Sequence, residues 1–532
     1  MRTLLLIFSL ALLAGTSFSQ QWTSVKTFGG VTDEGGFKVA HDAAGNWYVM
    51  GLFAGDLAID TITIHGNSQN NVYVAKYNAA NTIVWAKVLA STSGDVGSMI
   101  DVNGFAVAPS GTVYIGGNYI TSAVLDGVKH TSVGPTEMYL AKLSGNGQVE
   151  WLRTPGGFGI GNFNQNAIYA LSLDASEHCV ITGRYVQQAA FDTVTIQTEL
   201  YNETFIAKYD SSGHALWARS GGGDFGPHTG LAIACDQQGN VYTAGVFFGH
   251  LTFGLDTLDA IDAEQKIFFC KYGPDGSLKW AKKVGTGGYY GFAREIAIDK
   301  DGNPFIVGYF RATIDFGTFQ YTYNGPDIAY AALVMKFNPD GQIQWATKTD
   351  GSNQSSDGEG IILDNAGNSY ITGGYSRTTM FGDTTLSVPT NGAAYVARLN
   401  PDGKFAWVKT VSGGASTSYG ITLMDDNTIQ IIGLYGGTVS FDATPVSSNG
   451  GADVFIARLS GITNEVEPPH LSSQLSFYPN PATTVLHFTT AGNHRLTDLL
   501  GRTVKQTTES QMSVADLAAG SYYLDGKIII VN

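Results

Sequence analysis

The chain has 532 residues with 45 acidic and 30 basic side chains, and its formal charge of −15 removes the electrostatic footprint that nucleic-acid binding requires. Gly contributes 67 residues and aromatics 12%, while charged residues reach only 14%, against about 25% in ordinary soluble domains. That balance favours turn-dense β structure and excludes a coiled coil. Residues 1–19 carry Arg2, an apolar run from Leu4 to Leu13 and small residues Ser17 and Ser19 ahead of a cut, the layout of a secretory signal peptide. The run is about half of what a membrane span needs, no Cys follows it to take a lipid, and no transmembrane segment is expected elsewhere. The mature chain is expected to begin near Gln20 and to be secreted or held at the outer cell surface.

From Gln20 onward the chain repeats. Trp22, Trp85, Trp151, Trp217, Trp280, Trp345 and Trp407 are spaced by 63, 66, 66, 63, 65 and 62 residues. Turn signals such as Pro274-Asp275-Gly276, Pro339-Asp340-Gly341 and Pro401-Asp402-Gly403 precede the later Trp residues. A strand enters each turn, as in VYVAKY, TFIAKY and VFIARL, and a further hairpin stands upstream, as in EIAIDKDGNPFIVGYF over 295–310. Each unit therefore reads as four strands, an inner A strand, then B and C, and an outer D strand carrying Trp. The last copy has no D strand after Leu459, and Trp22 heads the mature chain with no C strand before it. Together the two halves complete one unit. The expected fold is all-β, a seven-bladed β-propeller over residues 20–461 closed by its N-terminal strand, which removes exposed sheet edges.

The DxxGNxYxxG and FIAKY…DG…W patterns resemble the SBBP family of seven-bladed β-propellers found in secreted bacterial proteins, a resemblance that implies the fold and leaves the activity open. The C-to-D segments also resemble the Trp-docking repeats of quinone-dependent dehydrogenases. That family implies eight blades and a vicinal Cys pair, whereas Cys179, Cys235 and Cys270 lie far apart and read as buried apolar residues. No cofactor is expected. Asp299, Asp301 and Asn303 alternate oxygen atoms, but one such loop falls short of the roughly six to eight oxygens that Ca²⁺ takes, so it reads as a hairpin turn and no metal is assigned. Neither zinc-type His/Cys spacing nor a G-x-S-x-G elbow occurs, and no catalytic residue is assigned.

The seven Trp read as core, so the residues that break the repeat carry the functional reading. The loops from each D strand to the next A strand differ most, and they place Asp33, Glu34, Asp95, Asp224, His228, Tyr289, Tyr290, Arg294, Glu295, Asp357 and Glu359 at one axial mouth. Of these, His228, Tyr289, Tyr290, Arg294, Glu295, Asp357 and Glu359 are the candidate ligand contacts, since aromatics beside charged groups suit stacking on and hydrogen bonding to sugars. A non-catalytic binding module for a carbohydrate or a surface protein is the expected function. A polysaccharide hydrolase or lyase at the same mouth and a purely structural envelope scaffold are the alternatives.

Residues 462–473, with Pro468 and Pro469 and no apolar periodicity, read as a linker. Residues 474–532 then form short strands punctuated by Pro479, Pro481, Gly501 and Gly520, with four acidic and four basic side chains. The YPNP opening (Tyr478, Pro479, Asn480, Pro481), the DLLGR step around Gly501, the DLAAGSYYL segment around Gly520 and the terminal IIIVN resemble the type A sorting domain of the type IX (Por) secretion system of Bacteroidetes. The resemblance implies a small C-terminal β-sandwich, the type IX machinery as partner, and removal of the domain at the outer membrane.

Overall fold

A computed structural model describes residues 20–463 and 477–531, except 68–69, 158–165, 224–225, 261–264, 288, 324–328, 352–354, 389–391, 479–481, 489–493, 499–501 and 525–526. The leader, most of the linker, Asp224 and the sorting-motif residues Pro479, Asn480, Pro481 and Gly501 lie outside the described residues. The secondary structure is all β, with no helix among the described residues. Contacts divide the chain into two units with the boundary between residues 465 and 466.

The fourth repeat shows why the sequence folds as it does. Its strands Thr229–Cys235, Val241–Phe247, Lys266–Tyr272 and Leu278–Lys283 pair antiparallel in chain order. The B and C strands are buried nearly end to end, because the sheet is covered on both faces, and their apolar runs follow from that. The outer strand is half-buried along its length except at exposed Lys279. Between C and D, Gly276 takes φ +75° and Asp275 accepts the Ser277 amide, the tight turn that Pro-Asp-Gly announces.

From Trp85 to Trp407, the Trp of each D strand bonds the backbone that follows its unit. Trp217 Nε1 donates to Pro274 O at 3.0 Å, Trp280 to Pro339 O at 3.2 Å, and Trp345 to Pro401 O at 3.0 Å. Trp85 and Trp151 make the same bond to Gly145 O and Ser211 O. The indole lies against the turn glycine of the following unit, where a Cβ at Gly276 would stand 2.7 Å from the Trp217 ring. Trp407 finds its acceptor at Ile462 O, and Ile462 is fully buried. Ile462 therefore packs with the last repeat rather than standing in the linker, because it occupies the place of a C-to-D turn.

Gln21–Phe28 pairs antiparallel with Asp453–Ser460, from Gln21 opposite Ser460 to Phe28 opposite Val454. The sheet carrying that pair runs Gln21–Phe28, Asp453–Ser460, Thr428–Phe441, Ser412–Asp425. One departure from separate four-stranded units occurs early. In the second repeat Val113–Leu125 extends outward and Ala123–Leu125 pairs with Ala90–Thr92, joining the first two units into one eight-stranded sheet.

The C-terminal unit forms a three-stranded sheet (Phe477–Tyr478, Val485–Phe488, Gln511–Ser513) and a four-stranded one (Thr503–Thr507, His494–Thr497, Gly520–Leu524, Lys527–Val531). They share a core of Ala482, Leu486, Leu496, Met512, Val514, Leu524 and Val531. Gly520 opens the third strand of the larger sheet.

Two outcomes test these contacts. Deleting residues 20–29 leaves Asp453–Ser460 as an uncovered edge, and aggregation or a strongly lowered Tm is expected in scanning calorimetry. Replacing Gly276 by Ala combines left-handed backbone strain, about 1–2 kcal/mol, with a clash against Trp217. A denaturant titration should show a loss of about 2 kcal/mol or more, with Ser277→Ala as the tolerated neighbour.

Candidate functional site

A glycine near the middle of every B strand sets the geometry of the site. Gly51, Gly117, Gly183, Gly245, Gly308, Gly373 and Gly433 each lie against an A-strand carbonyl, those of Gly35, Asp101, Ala167, Thr229, Phe292, Asp357 and Thr417, closer than any Cβ would allow. Beside this contact the A strand carries one extra residue. Register shifts leave Phe37, Asn103, Tyr169, Leu231, Arg294 and Tyr419 unpaired between matched neighbours. Such bulges re-aim a side chain out of the sheet. In the sixth unit the A strand is broken between Ser355–Ser356 and Gly360–Leu363, and Glu359 stands at the equivalent place beside Gly360, which pairs with Thr372.

The re-aimed side chains converge. Phe37, Asn103, Tyr169, Leu231, Arg294, Glu359 and Tyr419, with Lys38 and Val102, line a cavity of about 240 Å³. Phe37 and Tyr419 meet edge to face at 5.7 Å. A smaller space of about 50 Å³ continues past Asn103, Tyr169, Leu231 and Arg294 to Phe105, Ile233 and Glu295.

Arg294 dominates the electrostatics. Its Nε lies 3.2 Å from Glu359 Oε1, its Nη2 donates to the Tyr309 hydroxyl at 3.3 Å, and the guanidinium stacks over Phe292 and Tyr309. Burial pushes the Glu359 carboxyl up to about 7, and Asp357 adds to the rise against the opposing pull of Arg294 and Lys38. Burial likewise raises Asp357, whose Oδ1 accepts the Gly374 amide at 2.7 Å. Glu295 accepts the Ile361 amide at 3.2 Å and pairs with Lys38 at 3.6 Å, linking the fifth and first units.

The sequence candidates thus separate. Arg294 and Glu359 line the larger cavity, Glu295 lines the smaller one, and Asp357 sits behind Glu359 with its carboxyl on the sheet backbone. Tyr290 packs on Phe292, Tyr330 and Arg311. Tyr289 is fully buried, its hydroxyl donating to Val284 O and accepting the Ile267 amide. His228 is also fully buried, and its amide donates to Asn202 O. These two belong to the packing between sheets, because the loop entering each A strand turns them inward. Among the loop acids, Asp33 accepts the Ala452 amide, Glu34 the Gly30 amide, and Asp95 the Lys129 ammonium. The loop carboxylates brace the loops that carry them.

Phe37, Asn103, Tyr169, Leu231 and Tyr419 were not legible as site residues from loop variability, yet a signal for most of them exists. Phe37, Tyr169, Leu231, Arg294 and Glu359 each stand five residues before the Asp that opens the A-to-B turn, at Asp42, Asp174, Asp236, Asp299 and Asp364. Those Asp side chains cap the turn; Asp299 accepts the amides of Asp301 and Asn303.

Residues 476–527 match the family model described as Secretion system C-terminal sorting domain. The C-terminal unit is a Por secretion sorting domain. Its presence indicates export through the type IX system and delivery to the cell surface. The chain is also similar to an uncharacterized WD repeat-containing protein of Acanthamoeba polyphaga mimivirus, 24% identical over 365 residues, covering 56% of this chain and 25% of that protein. It therefore spans about a quarter of that relative's length. Among solved structures, a protein of unknown function from Dyadobacter fermentans aligns at 10% identity and TM-score 0.42, covering 83% of this chain and 99% of that one. An ulvan lyase, a polysaccharide lyase bound to -[GlcA(1-4)Rha3S]-, aligns at 12% identity and TM-score 0.41, covering 80% and 97%. No helix among the described residues is long and apolar enough to cross a membrane.

A buried carboxyl in the third unit makes stability depend on pH. Glu203 opens the mouth end of a C strand and is fully buried; burial lifts its carboxyl to about 8 despite bonds from the Gly223 amide and Thr198. A folded-state value above the unfolded one means that the contribution to stability is complete at low pH and is lost as pH rises toward 8. Glu203→Gln should therefore raise Tm by a few degrees at pH 8.5 and flatten its decline from pH 5, as read by thermal melts across pH.

Proposed function

We propose that the protein is an exported, closed seven-bladed β-propeller of the SBBP type that binds a small carbohydrate group in the cavity between its inner strands, without catalysis. Closure is supported by the pairing of Gln21–Phe28 with Asp453–Ser460. It is supported too by contacts that run from each A strand to the next and from Ser412–Asp425 back to Gly35–His41. A signal peptide at residues 1–19 fits the sorting domain, since a protein recognised at the outer membrane must first cross the inner one.

The observation that carries the binding reading is the difference among residues at one structural position. Seven equivalent positions, six at bulges and one at a break in the A strand, hold Phe37, Asn103, Tyr169, Leu231, Arg294, Glu359 and Tyr419. A purely structural plug would be met by repeated apolar residues, as the neighbouring core positions are. Instead the position mixes three aromatic faces, an amide, a guanidinium and a carboxyl, each half-buried, the combination that stacks on a pyranose face and bonds its hydroxyls. Its volume of about 240 Å³ suits a terminal sugar or a single side chain of a surface protein rather than a polymer threaded through.

A hydrolase or lyase is the second reading, favoured by one feature, the Glu359 carboxyl near neutrality, where a general acid works best. Among the described residues it lacks a free second carboxyl, because Asp357 is held by the Gly374 amide and Glu295 by Lys38 and the Ile361 amide.

The test is a glycan microarray with the full-length protein, followed by Tyr169→Ala and Tyr419→Ala. Each substitution should weaken sugar binding about tenfold or more, a loss typical of a stacking contact, with Tm little changed. Unchanged affinity in both would remove the cavity as the binding site. Turnover of the bound glycan, abolished in Glu359→Gln, would favour the enzyme reading.

A further inference from the structure

Resting on the binding reading above, we propose that the cavity selects a sugar bearing a carboxylate, which takes the Arg294 guanidinium from Glu359 while Glu359 takes up a proton from solvent. Arg294 offers five donors in a planar fork that matches a carboxylate edge to edge. The structure uses that fork sparingly. Glu359 meets Nε alone, at 3.2 Å, and Tyr309 takes one bond from Nη2. No other hydrogen-bond acceptor meets the guanidinium among the described residues, its remaining contacts being the Phe292 and Tyr309 rings under its plane. The Arg294 side chain is 37% exposed against 13% for Glu359, so the cation, more than its partner, faces the space that a ligand would fill.

Glu359 is also loosely held as an anion. No backbone amide or hydroxyl among the described residues donates to its carboxylate, so its ionised form depends on Arg294. The other groups facing it divide by sign. Glu295 and Asp357 oppose its charge, and Lys38, already paired with Glu295, supports it weakly. Tyr309, Tyr395 and Tyr419 close around it as neutral phenols, their own ionisation suppressed by burial. Bringing a ligand carboxylate to Arg294 adds a fourth carboxylate to this group, and protonating Glu359 is the response that costs least. No covalent bond forms or breaks; one solvent proton moves to a Glu359 oxygen. The chain's overall charge of −15 does not prevent this, because repulsion between exposed charges is screened beyond about 8 Å at physiological ionic strength.

Calorimetric titration of the full-length protein with methyl glucuronide and methyl glucoside, at pH 6.0 and 8.5 and in buffers of low and high ionisation heat, tests the exchange. The glucuronide should bind about tenfold more tightly at the lower pH, with proton uptake visible as a buffer-dependent heat. Glu359→Gln should keep the tight value at both pH values, and Arg294→Gln should lose preference for the acidic sugar. Glucuronide binding that is independent of pH, or equal affinity for the two glycosides, overturns the exchange and leaves sugar binding standing. Binding of neither glycoside overturns both.

Discussion

The inner strand of each repeat can approach its neighbour only where the B strand has no side chain. At Gly183, Gly245, Gly308 and Gly433 a carbonyl of the A strand occupies the place of a Cβ. The strand takes up its extra residue beside that contact, and the bulged side chain leaves the sheet. A structural glycine on one strand thereby decides which residue of another is presented to a ligand. Repetition of the glycine explains why side chains as unlike as Leu231, Arg294 and Tyr419 end at one level and line one cavity.

The same division between a uniform frame and variable contents runs through the outer strands. Trp85, Trp151, Trp217, Trp280 and Trp345 each bond the turn of the following unit. The cation preceding the end of the C strand reinforces it, since Lys76 Nζ donates to Gly145 O and Lys271 Nζ to Pro339 O. Trp407 bonds Ile462 O where the chain leaves the last unit. Trp22 packs on Phe441, and in the first unit's Asn78–Thr82 turn Asn81 stands at φ +66° in place of glycine and bonds Ser24. Each joint contributes little through its hydrogen bond alone, about 1 kcal/mol, and gains strength from burying an indole against the next sheet. Export adds a constraint of its own, since the sorting domain at the C-terminus follows a unit whose last strand partner, Gln21–Phe28, was made first.

The repeat was legible because it is written in residues that only one local conformation accepts. Trp at a period of 62 to 66 residues, Pro-Asp-Gly turns and the Asp-x-x-Gly-Asn hairpins report their own geometry. The sorting domain was legible for a similar reason, from short motifs with fixed spacing. The site was read in part. Arg294 and Glu359 stood out as charged residues near the mouth and do line the cavity. Tyr289 and His228 stood out for the same reason and are buried. The loop sequences differ visibly, but which of their residues turn inward depends on packing against the adjacent sheet.

The amino-acid sequence by itself determined an all-β repeat, its period, the strand and turn positions, and the address carried by the C-terminal unit. These follow from local chemistry: alternation, turn residues and short motifs act over a few positions. Only the tertiary structure decided that Phe37, Asn103, Tyr169, Leu231, Arg294, Glu359 and Tyr419 meet, that Lys38 pairs with Glu295 from a unit far away in the chain, and that the Glu359 carboxyl rises to about 7. Those are consequences of burial and of distances between separate sheets. Neither is set until the inner strands pack together, because a carboxyl in an isolated repeat would remain in water at its ordinary value.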